Sequence, residues 1–385
     1  MTSSTKRTKD KPPTATDAPR KSRKKTAADN ATTITKARDS NTSAKLDAPA
    51  TLVTGGTGFL GRHLLNVLIQ AETPRVRVMT TNAPAWLRKL EVEIVEGSIS
   101  NADDVRRAVE GVKEIYHLAG YVSRRAEDAH KMYTLHVEGT RLLCDAAMKA
   151  EVETIVLASS SGTLAVSERS GDVADERSAP PLDIIGRWGY YASKFFQERT
   201  ALENFTGDNR RLVIMNPSLL LGAGDERLSS SKVVLDFLAR KIHVTPSGGL
   251  NFVDACDAAV AFERAMRDGK HGERYLLGTV NWSFEKFFGR LERITKVSAP
   301  RLALPSKLNV FGAKTVDALF KHWNWASPLE PEEIEQAEHF WYFDSSKARR
   351  ELGFTPRDPQ ETLQDTVDYV RENFLGKNAA FAMKN

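Results

Sequence analysis

Ala50-Thr51-Leu52-Val53-Thr54-Gly55-Gly56-Thr57-Gly58-Phe59-Leu60-Gly61 decides the fold. An apolar, β-branched run ends in glycines and is followed at once by apolar residues at helical spacing, Leu60, Leu64, Leu65 and Leu68. Strand, turn and helix start therefore follow one another within twelve residues. Gly55, Gly58 and Gly61 recur every third position. The first permits a tight turn, the second lets backbone approach a pyrophosphate, and the third lets helix pack on strand. Free N–H groups and the dipole at the helix start then hold phosphate. This pattern predicts a dinucleotide site on a Rossmann-type, doubly wound parallel α/β sheet.

The surrounding sequence supplies the rest of such a sheet. Strand candidates run from Ala50 to Thr54, Val76 to Met79, Val92 to Glu96, Glu114 to Leu118, Thr154 to Ser159, Leu212 to Met215 and Arg274 to Leu277. Helix-length segments lie between the early ones, from Leu60 to Ala71, Ala102 to Glu110 and His130 to Ala150. Strands alternating with helices imply βαβ units with helices on both faces. The domain reading is a basic tail over 1–48, a dinucleotide-binding domain over 49–280, a mainly helical substrate-binding part over 281–375 and a flexible end over 376–385. Insertions near 163–189 and 222–250 are assigned to the substrate. Trp282, Phe284, Phe287, Phe288, Trp323 and Trp325 are read as core.

Composition narrows the function. Residues 1–48 carry 12 Lys/Arg against 5 Asp/Glu, leaving 43 against 45 in the remainder. The excess charge belongs to the tail, so the folded body has no charge-based case for nucleic-acid binding. The tail is Thr, Ser, Ala, Lys and Pro-rich and reads as disordered. Its Arg20-Lys21-Ser22-Arg23-Lys24-Lys25 run suits weak polyanion contact, or a solvated tail with no dedicated partner. Cys144 and Cys256 stand far apart without ligand neighbours and read as small buried residues in a reducing, cytoplasmic setting with no metal. No apolar run is long enough to span a membrane.

Two further stretches carry chemistry. Tyr190-Tyr191-Ala192-Ser193-Lys194 places Tyr190 and Lys194 four apart on one helix face. A phenol near pKa ~10 is a poor proton donor and acceptor at neutral pH, and a neighbouring ammonium favours its phenolate. Tyr191, at spacing three, reads as a pocket wall. Thr154-Ile155-Val156-Leu157-Ala158 runs into Ser159-Ser160-Ser161-Gly162-Thr163, which puts hydroxyls at the carboxyl end of a strand, where such sheets bind ligands. A serine there stabilises charge developing on a substrate oxygen.

Taken together, these residues resemble the extended short-chain dehydrogenase/reductases, or NAD-dependent epimerase/dehydratases, over about residues 50–373. TGGTGFLG at 54–61, HLAG at 117–120, SSSGT at 159–163, YYASK at 190–194, NPSLLLGAGD at 216–225 and YFDSSKARRELGF at 342–354 are similar to successive signatures of that family. GDERLSSSKVVLDFLARK at 224–241, GLNFVDACDAA at 249–259 and GERYLLG at 272–278 resemble its branch of hopanoid-associated sugar epimerases and dihydroflavonol reductase-like proteins. The resemblance implies Ser160, with Ser161 one place away, as the catalytic hydroxyl, Tyr190 as acid/base and Lys194 as its partner and ribose ligand. It implies Gly55, Gly58, Phe59, Leu60, Gly61, Ala119, Gly120, Pro217 and Ser218 around the cofactor, and a homodimer.

Three positions depart from the family pattern. His136 stands where many members carry Asn, and reads as a buried residue without catalytic duty. Gly97-Ser98 replaces a Gly-Asp that holds adenine. Thr80 and Thr81 supply neither the acid that selects NAD nor the Arg that selects NADP. The cofactor is thus NAD or NADP, leaning to NADP because no carboxylate repels a 2′-phosphate; Arg88 and Lys89 are near in sequence. The substrate, a nucleotide sugar or a small ketone or aldehyde, would meet Thr163 to Trp188, Gly222 to Ser231 and the 280–345 region. Arg187, Arg240 and Lys241 are candidates for a diphosphate. A dehydratase is disfavoured, since no Asp-Glu follows the serine. The competing reading is a dinucleotide-binding scaffold without turnover.

Overall fold

The computed structural model describes residues 48–303, 310–312, 315 and 331–376. The basic tail, Trp323, Trp325 and the last nine residues lie outside them. The chain enters β1 (Ala50–Thr54), turns at the glycines and forms α1 (Phe59–Gln70). There follow β2 (Val76–Thr80), β3 (Glu93–Glu96), α2 (Ala102–Val109) and β4 (Val112–His117). The segment expected as one helix is α3 (Ala129–Tyr133), a π-turn (Thr134–Glu138) and α4 (Gly139–Lys149). After β5 (Thr154–Ala158) come the short α5 (Leu182–Ile185), α6 (Gly189–Asn204) and β6 (Arg211–Pro217). Each expected strand edge falls within two residues of its observed place.

The later elements include strands that the sequence reading missed. In order they are β7 (Leu219–Leu221), α7 (Lys232–Leu238), β8 (Val244–Thr245), β9 (Gly249–Asp254), α8 (Ala255–Asp268), the expected β10 (Arg274–Leu277) and β11 (Val280–Ser283). Beyond them lie α9 (Phe284–Thr295), β12 (Leu302–Ala303), α10 (Pro331–Ala337), α11 (Ser346–Leu352) and α12 (Pro359–Val370).

Seven strands pair in the order β10-β6-β5-β4-β1-β2-β3, all parallel. Such a sheet must be covered on both faces, and the alternation along each strand does this. Val53, Val78, Val156 and Val213 pack with Leu64, Leu65 and Leu68 of α1 and Phe262 of α8. Leu52, Ile115, Ile155 and Leu212 pack with Val105, Leu143, Ala147 and Phe205. Each fully buried Leu contributes about 1.5–3 kcal/mol of transfer free energy.

A smaller sheet, β11-β9-β7, joins α7, α9 and α12 around a second core of Phe237, Phe252, Trp282, Phe284, Phe287 and Phe288. Those four sequence-predicted aromatics of the 282–288 stretch are therefore core. The chain then returns to the large sheet, where α11 packs on α8 and β10. Among the described residues no helix is long and apolar enough to cross a membrane.

Candidate functional site

The glycine turn is a cradle that side chains would fill. Gly55 has φ +71°, and a Cβ there would lie 2.6 Å from the Ala119 backbone nitrogen. One on Gly61 would lie 2.3 Å from the Gly55 carbonyl oxygen. Gly58 opens α1 with no side-chain cap, which leaves the first N–H groups, at Phe59, Leu60 and Gly61, directed at the turn. Backbone donors, absent side chains and a helix N-terminus suit a pyrophosphate. The 216–225 segment passes over the same helix: His63 Nε2 lies 2.9 Å from the Ala223 carbonyl, and Arg62 pairs with Glu226. Pro217 ends β6 beside Leu277, and the Ser218 N–H donates to the Leu277 carbonyl at 2.9 Å.

At the far end of the cradle the Thr80 hydroxyl donates to the Asn82 carbonyl at 2.9 Å. Arg88 is paired with Glu96 of β3, the register partner of Thr80 at the end of β2. Asp104, from the first turn of α2, accepts from the Ser98 N–H at 2.9 Å. A carboxylate thus reaches the Gly97-Ser98 turn from a helix, although Ser98 itself carries none.

The three sequence-predicted reacting groups come together at the carboxyl ends of β4 and β5. Ser160 follows β5 in extended conformation, and its Oγ accepts from the Gly162 N–H at 3.2 Å. Its hydroxyl is near enough to the Tyr190 phenol to lower that group's pKa. A Cβ on Gly120 would lie 3.7 Å from Lys194 Nζ and 3.0 Å from His136 Nε2, so the 119–120 backbone lines the same space. Tyr191 turns away to form a wall, 4.9 Å from the Trp341 ring, and Trp341 stacks on Trp188 at 5.7 Å.

Lys194 Nζ donates to the Ala158 carbonyl (2.8 Å) and Gln197 Oε1 (2.9 Å). Burial raises the Tyr190 phenol well above its usual value, with Tyr191 adding; Arg124 and the Ser160 hydroxyl pull it back. Burial also pushes the Lys194 ammonium down to about 7, opposed by Glu198.

Between about pH 7 and the ordinary lysine range, the unfolded chain holds a proton that native Lys194 releases. Stability from this group therefore rises with pH across that window. Thermal unfolding of Lys194→Met should lose this rise; an unchanged pH profile of Tm would show that Lys194 titrates normally.

His136 is fully buried on the π-turn. The Tyr121 N–H donates to its Nε2 at 3.0 Å, and Nδ1 lies 2.8 Å from Ser193 Oγ. Since the Ser193 hydroxyl donates to the Tyr190 carbonyl at 2.7 Å, Nδ1 carries the proton. Burial first, then Lys194, depresses its pKa well below the usual value. It is a neutral tie between the loop after β4 and the helix bearing Tyr190.

Three buried groups escaped the sequence reading. Glu198, one turn past Lys194, accepts from Ser159, from Thr163 Oγ1 (3.0 Å) and from Asn216 Nδ2 (2.8 Å), and pairs with Arg274 at 2.7 Å. Gln197 donates to Thr140 Oγ1 at 2.9 Å, and His117 bridges Thr54 and Thr140. The available signal was the continuation of one helix face beyond Lys194. Cys144 is buried as expected. Cys256 is not: it opens α8 at the surface, with Sγ 3.2 Å from His63 Nδ1. Lys241 sits 3.9 Å from Asp236, and Arg240 just past α7 in left-handed conformation. Among the described residues no three His, Cys, Asp or Glu are grouped to hold a metal ion.

A parallel sheet in this strand order, with a glycine cradle at β1 and buried Tyr and Lys at the β5 edge, defines a dinucleotide-binding Rossmann protein. The family model described as NAD dependent epimerase/dehydratase family matches residues 51–278, and the chain belongs to that family. It is 30% identical over 328 residues to a Synechocystis protein named for dihydroflavonol 4-reductase, covering 83% of this chain and 94% of that one. It is also 30% identical over 327 residues to sterol demethylase protein B of Methylococcus capsulatus, covering 84% and 98%. The crystal structure of gox2253 matches with a TM-score of 0.73 and 30% identity, over 86% of this chain and all of that one. Relatives of this kind are NAD-dependent reductases, dehydrogenases and epimerases, and the chain is an enzyme of their class.

Proposed function

We propose that the chain moves hydride between NAD or NADP and the carbinol or carbonyl carbon of a small ring-bearing molecule, with net oxidation or reduction. The observation that carries this is the meeting of Ser160, Tyr190 and Lys194 at the carboxyl end of β5, beside the backbone that borders the glycine cradle. Tyr191 and Trp341, backed by the buried Trp188, offer flat apolar surface to a ring. Two full-length relatives at 30% identity carry names of ring-ketone and sterol chemistry.

In the reductive direction the substrate oxygen accepts hydrogen bonds from Ser160 and Tyr190. A dinucleotide held in the cradle would supply the hydride that the carbonyl carbon receives. As negative charge gathers on the oxygen, the Tyr190 proton moves to it and Ser160 stabilises what remains. Lys194, titrating near 7, is matched to return a proton to the phenolate. Gly55, Gly58, Gly61 and the start of α1 hold the pyrophosphate, with Ala119, Gly120, Pro217 and Ser218 along the path to the nicotinamide. Thr80 and Thr81 do not repel a 2′-phosphate, but Arg88 is engaged with Glu96, so both dinucleotides are expected to bind. Exposed Tyr133 and Phe196 lie on mutually packed helices and favour a homodimer through that face.

The test follows the absorbance of reduced cofactor while the protein is offered NADH or NADPH with a panel of ring ketones. Steady oxidation tied to formation of the alcohol is expected. Cofactor that binds but is never oxidised by any carbonyl in the panel would favour the scaffold reading.

A further inference from the structure

Three cations from separate loops surround the mouth of this site. Arg124 follows β4, and its charge acts on the Tyr190 phenol. Arg187 precedes α6, with its guanidinium 5.6 Å from the Trp188 ring. Lys232 opens α7, and Arg124 acts on it in turn. Such a set, from convergent loops, is what a diphosphate clamp requires.

The chain itself occupies all three. Helix α10, Pro331-Glu332-Glu333-Ile334-Glu335-Gln336-Ala337, lies across them. Arg124 donates to Glu333 Oε1 at 3.2 Å and to Gln336 Oε1 at 3.3 Å. Lys232 Nζ, paired with Asp236 of its own helix at 2.6 Å, is 3.6 Å from Glu333 Oε2, and Arg187 is 3.0 Å from Glu335 Oε1. The helix is fastened to the aromatic wall, since Trp341 Nε1 donates to the Gln336 carbonyl at 3.0 Å. Its acids therefore stand at the entrance, and Glu332 acts on Tyr191.

We infer that Glu333 and Glu335 are charge-selectivity residues, which occupy Arg124, Lys232 and Arg187 so that the site admits an uncharged substrate and rejects a nucleoside diphosphate. An incoming diphosphate must break ion pairs already made and meets carboxylates at close range, whereas a neutral ring molecule does neither. Side chains at this rim are one-sixth to one-half exposed, so the discrimination weakens as salt screens it. The inference rests on the proposed hydride site only for the location of the mouth.

The experiment titrates uridine 5′-diphosphate calorimetrically into full-length protein saturated with NADH, so that the dinucleotide cleft is filled. Wild type is expected to bind no tighter than about millimolar. The Glu333→Gln/Glu335→Gln variant should bind about tenfold tighter, with the gain shrinking at high salt and vanishing when Arg124→Gln is added. Micromolar binding by wild type, or no gain in the double variant, overturns the inference. Should the double variant fail to fold, Glu333→Gln alone is expected to gain about threefold, and no gain there is equally decisive. NADH binding and ketone turnover, measured on the same preparations, judge the proposed reaction separately.

Discussion

Tyr190→Phe should bind dinucleotide normally and lose about 10²- to 10⁴-fold in kcat, the usual worth of a positioned proton donor. The ring itself is retained, and with it the edge contacts to His136 at 5.9 Å and Tyr191 at 5.0 Å, so the helix is expected to keep its place. Only the hydroxyl that meets Ser160 disappears. The loss should fall on kcat, with KM nearly unchanged, because the phenol's proton matters in the transition state more than in binding. Tyr191→Phe serves as the comparison: its ring lies tilted against Trp341 and its change in turnover should be small. Near-wild-type turnover by Tyr190→Phe would sink the mechanism.

Glu198→Leu should be among the most destabilising single substitutions in the sheet. The carboxylate is 1% exposed and gathers Ser159, Thr163, Asn216 and Arg274 from three separate segments. Removing one member of a buried pair leaves the other charge uncompensated, at about 3–5 kcal/mol. Arg274 is 24% exposed and recovers some hydration, which places the expectation at the lower end, about 3 kcal/mol. Tm should fall on the order of 5–10 °C. Ser160 sits between two residues held by this carboxylate, so turnover should fall as well. Adding Arg274→Leu should restore part of the stability, which a double-mutant cycle measures. A variant within about 1 kcal/mol of wild type would show that the network adds little.

The first strand, its turn and its helix were readable because local rules agree there: β-branched residues, three glycines and a leucine period all specify the same unit. Ser160, Tyr190 and Lys194 could be named together because two motifs 30 residues apart each sit at a recognisable strand or helix start. The small sheet was not readable. Leu219–Leu221 is too short for a period, and its partner Gly249–Asp254 follows a long gap. Ion pairs such as Arg124–Glu333, 209 residues apart, leave no local signature at all. Cys256 was misplaced because composition says that cysteines are usually buried, while exposure at a helix start depends on which way that helix faces. His136 was rightly read as buried, but its two partners, Tyr121 and Ser193, come from different elements and only the fold supplies them.

The π-turn at Thr134–Glu138 makes this stretch of chain intolerant of a change in length. It spends one residue more than a regular helix needs, which sets α3 and α4 roughly 100° apart in phase. Across it His136 meets Ser193, while Thr140, four residues on, meets His117 and Gln197, four residues past Ser193 on the same helix. Deleting one residue here would yield a straighter helix and a worse enzyme, since either His136 or Thr140 would swing out of reach of its partner.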